Sequence, residues 1–300
     1  VTILGLGTYR CRDVGQAAEA AAAHGTPWID TAPVYGAGAA QPALAGTLAA
    51  YPAIGVSTKV GYMTGRQADA AVRAGCLDVA DAGHRYSIAP DYVAVQIEAN
   101  RAELGRRRLD VLYLHNPESC SHYDPRRLHE AITAAFAVCE QAVEEGRITG
   151  YGVSTWAGLA DGAFTVPGLL EAASAAAGGE HHLTAIQLPV SLVHLGAVQE
   201  ALHGRGPLVQ AGGAGLRIWA SSPLHGAELV SLVGAELAHA IRPGLDPVQA
   251  ALLVTSSVPA VHGVLLSAST AGHWLQAQEA VQLPPLNGDE LARVCELLRA

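Results

Sequence analysis

Four side chains in this chain could together move a proton onto an oxygen. Asp30 and Tyr35 lie in Ile29-Asp30-Thr31-Ala32-Pro33-Val34-Tyr35-Gly36, Lys59 closes Ser57-Thr58-Lys59, and His115 sits in Leu112-Tyr113-Leu114-His115-Asn116-Pro117. A phenol is a poor acid near neutral pH unless a cation stabilises its phenolate. Lys59 could supply that cation, Asp30 could hold the lysine, and His115 could hydrogen-bond a substrate oxygen. The set suits protonation of a carbonyl oxygen as its carbon receives a hydride. A fold must bring the four together.

Short β-like runs alternate with longer, alanine-rich helical runs. Strands are predicted at Thr2–Leu6, Trp28–Thr31, Ile54–Thr58, Leu109–Leu114, Ile148–Val153, Thr184–Leu188, Leu216–Ala220 and Val261–Leu266. Helices are predicted at Val14–His24, Pro42–Ala50, Asp91–Leu104, Pro125–Glu145, Val166–Ala177 and Ala197–His203. Further ones follow at Leu229–Ala240, Pro247–Thr255, Thr270–Ala280 and Gly288–Leu298. Eight strands, each followed by a helix, indicate an α/β chain folded as a single (β/α)8 TIM barrel. The strand runs are continuously apolar, as expected of parallel strands covered by helices. No Pro/Ser-rich linker or repeat divides residues 1–300, which reads as one domain.

Composition narrows the function. The chain has 300 residues, 50% of them hydrophobic, enough for one buried core. A net charge of −9 without a basic run argues against nucleic acid. No apolar stretch approaches the ~20 residues of a membrane helix. Val1–Leu6 is too short for a signal peptide and lacks a basic start. The scattered Cys11, Cys76, Cys120, Cys139 and Cys295 make neither a disulfide framework nor a zinc site, so no metal is expected and a cytoplasmic location is. His181-His182, beside Gly178-Gly179, reads as a solvated turn.

Barrel enzymes carry their chemistry at the C-terminal ends of the strands. There this sequence puts Gly7-Thr8-Tyr9, Asp30 with Tyr35, Lys59, His115, Ser154-Thr155, Gln187, Ser221-Ser222-Pro223-Leu224 and Ser267-Ala268-Ser269. Gly5-Leu6-Gly7-Thr8, the Asp30-to-Gly36 segment, Ser57-Thr58-Lys59-Val60-Gly61, the His115 strand, Gly152-Val153-Ser154 and Gln187 resemble the aldo-keto reductase superfamily in order and spacing. Leu114-His115-Asn116-Pro117-Glu118 and Gly150-Tyr151-Gly152-Val153-Ser154-Thr155-Trp156 look like a bacterial branch whose members often have no assigned substrate. The resemblance implies an NAD(P)H-dependent oxidoreductase acting on a small-molecule aldehyde or ketone, such as a sugar or secondary-metabolite carbonyl. It implies Tyr35 as proton donor, tuned by Lys59 and Asp30, with His115 orienting the carbonyl. Ser154 and Gln187 would take the nicotinamide carboxamide, with Gly7, Thr8 and Asp30 also at the cofactor. Ser221, Pro223, Leu224 and Gly226 would run along the pyrophosphate, and Ser267, Ser269 and His273 would lie near the adenosine phosphate.

The sequence departs from the family pattern at several points. Thr155 stands where Asn is common, Ser221 where an aromatic often stacks on nicotinamide, and Ala277 where a later Asn is usual. Ser269 replaces a basic residue that often holds the 2′-phosphate, and phosphate recognition usually uses Arg or Lys. Arg217 or His273 could compensate. NADPH remains the expected cofactor, with NADH possible. The long Gly61–Pro90 connection carries Tyr62, His84, Arg85 and Tyr86; long loops are commonly functional. With Tyr9, Asn116, Glu118, His122, Tyr123 and Trp156 these could line a substrate pocket. Three rival readings exist. Gly5-Leu6-Gly7 with Asp30 suggests a Rossmann dehydrogenase, but Arg10 stands in place of the third glycine. A non-redox dehydratase or cyclase on the same barrel and a low-turnover cofactor-binding regulatory protein are the others. Oligomeric state is not legible.

Overall fold

In the computed structural model, which describes residues 2–120 and 124–298, eight strands follow one another in chain order around a closed barrel. The chain runs β1 (Ile3–Gly7), α1 (Val14–Ala23), β2 (Trp28–Asp30), α2 (Ala40–Ala50), β3 (Gly55–Val60), α3 (Gly65–Arg73), α4 (Val79–Gly83), α5 (Pro90–Leu104) and β4 (Leu109–His115). It continues through α6 (Pro125–Glu144), β5 (Ile148–Ser154), α7 (Val166–Ala177), β6 (Leu183–Pro189), α8 (Gly196–Leu202), α9 (Pro207–Gly213) and β7 (Arg217–Ser221). The last elements are α10 (Glu228–Leu232), α11 (Ala235–Ile241), α12 (Pro247–Ser257), β8 (Val261–Leu266), α13 (Ala271–Gln282) and α14 (Gly288–Leu297). The barrel is the predicted fold. A closed parallel sheet also disposes of the Rossmann alternative, which needs an open one.

Two compact units make up the chain: Ile29–Ile186, and Val1–Trp28 with Gln187–Ala300. In the first, β3 and β4 pair in parallel with Lys59 opposite Tyr113, and β4 and β5 pair with His115 opposite Ser154. Val56, Val111, Leu112, Leu114 and Val153 are fully buried or nearly so, which explains the unbroken apolar runs. In the second unit β1 pairs with β8, and β7 with β8, across an irregularity at Ile218/Trp219. Its outer layer is built on Leu229, Ile241, Leu253, Leu291 and Val294.

Helix ends follow local chemistry. Asp13, Asp124 and Thr165 accept from the first-turn amides of α1, α6 and α7. Thr64 with Gln67, Asp246 with Gln249 and Asn287 with Glu290 close reciprocal capping boxes. Gly105 and Gly178 end α5 and α7 in the left-handed conformation.

Four features differ from expectation. Residues 61–90 are not a plain loop: the Thr64 box starts α3, and Asp78 caps α4. Strand β3 runs on to Val60, so Lys59 lies inside it. The helix expected over Leu229–Ala240 is two, because Val233 turns extended and Gly234 opens the next. Helix α9 had no predicted counterpart; Pro207 at its first position and the glycines around it, Gly204, Gly206, Gly212, Gly213 and Gly215, masked it.

Candidate active site

Strand β2 delivers Asp30 as a buried carboxylate. Ser57 Oγ donates to its Oδ1 at 2.7 Å, and Lys59 Nζ donates to its Oδ2 at 2.5 Å. Lys59 Nζ also donates to the Thr31 carbonyl at 2.9 Å. Lys59 is fully buried and is the only lysine in the chain, where every other basic side chain counted with it is arginine. Burial pulls its pKa below the ordinary lysine range, and the charge and hydrogen bond of Asp30 pull it back. A buried ammonium is tolerable only with such a partner.

Tyr35 opens a tight helical turn, Tyr35–Gly38, in which Gly36 and Ala37 are left-handed at φ 57° and 53°. Its ring centroid lies 5.2 Å from Lys59 Nζ, and its edge meets the His115 ring with centroids 5.9 Å apart. Lys59 also lies 6.0 Å from the Tyr113 ring. All four predicted groups therefore gather at the ends of β2, β3 and β4 within one unit. His115 is held well below the ordinary imidazole pKa, first by burial and then by Lys59, so it is neutral near pH 7. A neutral imidazole keeps one N–H to give to a carbonyl oxygen.

Aromatic packing fixes His115. The Tyr62 ring stands edge-on to it at 5.0 Å, and edge-on to Tyr86 at 5.0 Å. Tyr62 and Tyr86 form an antiparallel bridge, and the Tyr62 hydroxyl bonds Ser119 Oγ. Gly61, at φ 147°, makes this possible: a Cβ there would come within 2.9 Å of both the His115 carbonyl and the Tyr86 ring. The Tyr86 hydroxyl is buried beside Cys120; burial raises the phenol well above its usual range and the thiol to about 11. Neither ionises at neutral pH.

Glu118 has a role that the sequence did not reveal. Its Oε1 accepts from Thr155 Oγ1 at 2.7 Å, Trp156 N at 2.9 Å and Ala157 N at 3.0 Å. Thr155, which departs from the family's Asn, thus gives its hydroxyl to Glu118 and accepts from Gly158 N at 2.8 Å. Asn116 is left-handed at φ 49° and donates its amide to the Ser154 carbonyl at 2.6 Å. Ser154 is buried and Trp156 is 44% exposed. Tyr123, with His122, lies outside the described residues. His182 is exposed in the loop before β6, as read, and also binds Glu140 through its amide at 2.8 Å and its ring at 2.7 Å.

The other unit carries the remaining predicted positions. Gly7 ends β1, Thr8 is buried, and Tyr9 is exposed with the Arg10 guanidinium 5.5 Å from its ring centroid. Ser267 Oγ reaches the Gly7 and Tyr9 carbonyls, each at 2.6 Å. Gln187 is buried in β6. Ser221 ends β7, and its carbonyl accepts from Val190 N at 3.2 Å. After it, Ser222, His225, Gly226 and Ala227 are all left-handed, at φ 51°, 47°, 68° and 74°. Pro223 is buried, and Leu224 packs on the outer apolar layer of this unit. A Cβ at Gly226 would strike the Arg10 guanidinium, which pairs with Glu228 at 3.6 Å. Ser269 lies beside Cys11. His273 is exposed at the head of α13, its amide donating to Thr270 Oγ1 at 3.2 Å.

One expected compensation fails. Arg217 opens β7, at the opposite end of that strand from Ser221, with its guanidinium 5.3 Å from the Trp28 ring centroid. It cannot serve the C-terminal end. Arg10 is the cation that sequence reasoning passed over there. Two features of this unit suit phosphate: the left-handed loop after β7, and the Arg10 guanidinium facing Gly226.

Among solved structures the chain is similar to aldo-keto reductase AKR11C1 from Bacillus halodurans, holo form: 15% identity, TM-score 0.71, covering 98% of this chain and 91% of that one. It is also similar to the thermostable aldo-keto reductase Tm1743 in complex with the inhibitor epalrestat, at 18% identity and TM-score 0.71, covering 99% and 95%. MGS-M4, an aldo-keto reductase from a Medee basin deep-sea metagenome library, matches at 17% identity and TM-score 0.68 over 99% and 91%. At such identities the likeness is one of fold. A search of curated proteins found no match. The family profile described as Aldo/keto reductase family matches residues 4–226, most of the sequence, and on that match the chain belongs to the aldo/keto reductase family.

Proposed function

We propose that this protein reduces an aldehyde or ketone to an alcohol with Tyr35 as general acid. NAD(P)H-dependent carbonyl reduction is the chemistry that the family and fold imply. NAD(P)H, when bound, supplies the hydride. His115, neutral, donates an N–H to the substrate oxygen and fixes the carbonyl. Tyr35 gives its proton to that oxygen as negative charge develops, and the Lys59 ammonium stabilises the phenolate left behind. Asp30 holds Lys59 in place, and Ser57 holds Asp30. The observation that carries the reading is the buried Lys59–Asp30 pair at 2.5 Å, with Lys59 5.2 Å from the Tyr35 ring.

By resemblance, Ser154 and Gln187 take the nicotinamide carboxamide and Ser221–Gly226 the pyrophosphate. NADPH is favoured by family habit, although Ser269 brings no cation to a 2′-phosphate. Tyr62 and Trp156 offer aromatic surface to a polar, fairly bulky carbonyl compound such as a sugar or a secondary-metabolite ketone.

The test is Tyr35→Phe, assayed by nicotinamide absorbance against a panel of aldehydes and ketones. Turnover should fall ~10²–10⁴-fold, the usual worth of a general acid. NADPH affinity, read from fluorescence, should hold. A variant with near-full turnover ends this assignment. Product formed by the native protein without cofactor oxidation would point to a non-redox enzyme instead.

A further inference from the structure

Strand β3 has a gap in its ladder next to the chain's only lysine. Thr31 N donates to the Ser57 carbonyl at 3.0 Å. In a parallel ladder the next carbonyl on that side, Lys59 O, meets the residue two positions on. Strand β2 ends at Asp30, however, and at that position the chain is already turning at Pro33, which has no N–H to give. Asn100, on α5, fills the place: its Nδ2 donates to Lys59 O at 3.0 Å.

The amide is held in one orientation. Asn100 is fully buried, and its Oδ1 accepts from Gln41 Nε2 at 3.0 Å and from Gln96 Nε2 at 2.7 Å. Gln96 is fixed in turn by the Tyr92 hydroxyl at 3.1 Å. Gln41 Oε1 accepts from the Thr58 hydroxyl, and its Nε2 also reaches Glu103 at 2.7 Å. Gln41 lies on α2, which follows directly from the Tyr35 turn. The network therefore ties α2, the helix that follows the Tyr35 turn, to the strand bearing Lys59 at two successive residues, Thr58 and Lys59. A buried polar network in which the members are satisfied rigidifies what it joins.

We propose that Asn100 is a positioning residue: it gives Lys59 O the N–H that β2, ending at Asp30, does not bring and, with Gln41, sets Lys59 against Asp30 and Tyr35. This rests on the catalytic reading of Tyr35 and Lys59 given above. Asp30, His115, Tyr35 and Tyr113 are the titratable groups that face the lysine.

The single lysine makes the test direct. Protein labelled with 13C only at lysine Cε gives one lysine resonance, whose pH titration reports Lys59 without any substrate. In Asn100→Leu, which removes the donor, adds no charge and nearly keeps the size, that midpoint should move up toward the ordinary lysine range as water reaches a loosened side chain. With 4-nitrobenzaldehyde and NADPH, kcat should fall about tenfold while KM stays within about twofold, since small misplacements of a catalytic group are costly. If Asn100→Leu does not fold, the near-isosteric Thr58→Val carries the test. A folded variant whose lysine titrates as in the native protein overturns the proposal, as does a loss confined to Tm or KM. Failure of the catalytic reading is distinguishable: Tyr35→Phe would then keep its turnover, while the lysine resonance still reports whether Asn100 positions Lys59.

Discussion

Replacing Asp30 by Asn tests the core of the site. The two side chains of the Lys59–Asp30 pair are 1% and 6% exposed and meet at 2.5 Å. Removing one partner of a buried pair leaves an uncompensated charge and costs about 3–5 kcal/mol. The Asn oxygen can still accept from Ser57 Oγ, but its NH2 then faces the lysine, donor against donor. The folded state escapes by giving up the lysine proton. Its lysine pKa then lies further below the value of about 10.4 in the unfolded chain, so over that window the unfolded state binds more protons. Stability must therefore rise with pH: the variant's deficit is largest at and below neutral pH and shrinks toward pH ~10. Urea unfolding of native protein and Asp30→Asn at about pH 7 and about pH 9 measures this. Turnover should fall ~10²–10⁴-fold, because a neutral lysine no longer stabilises the phenolate. A variant that loses less than ~1 kcal/mol, shows no recovery at high pH, or turns over normally would refute the reasoning.

Three further outcomes follow from the geometry. His115 refuses a proton that the unfolded chain accepts below about pH 6.5, so it contributes a loss of stability on acidification of up to ~1.4 kcal/mol per pH unit. His115→Gln should flatten that acid slope in melts between about pH 4 and 7, and an unaltered slope contradicts the buried neutral imidazole. Gly61→Ala puts a methyl against the His115 carbonyl and the Tyr86 ring; a loss of ~1–3 kcal/mol and weakened turnover are expected, and a native-like Tm would argue against the close approach. Glu118→Ala strands the Trp156 and Ala157 amides and the Thr155 hydroxyl, costing ~1–3 kcal/mol and changing Trp156 fluorescence; an unchanged spectrum would show that Glu118 does not order that loop.

Asp30, Tyr35, Lys59 and His115 were legible in the sequence because each closes or follows an apolar run, and parallel strands bring such ends together whatever the loops do. The strand count and order came from the same periodicity, and the family likeness from the motifs that those strand ends carry. Helices α3 and α4 were not legible: their capping residues lie in a polar stretch that resembles a loop until the chain is folded. Arg217 looked available to a phosphate because a composition carries no direction, whereas the strand it opens points it away.

Partnership is what the tertiary structure decided. Glu118 is one acid among many until the fold sets three donors on its oxygen, and Thr155 is a departure until Glu118 takes its hydroxyl. Asn100 is a polar residue in a helix until the end of β2 leaves the Lys59 carbonyl open, 41 positions from it along the chain. The sequence by itself determined which groups could ionise, donate or bend the backbone, since those are properties of single residues and their near neighbours. Which of them meet, how dry the meeting place is, and hence which way Lys59 and His115 shift, depends on residues far apart in the chain and is settled only by packing.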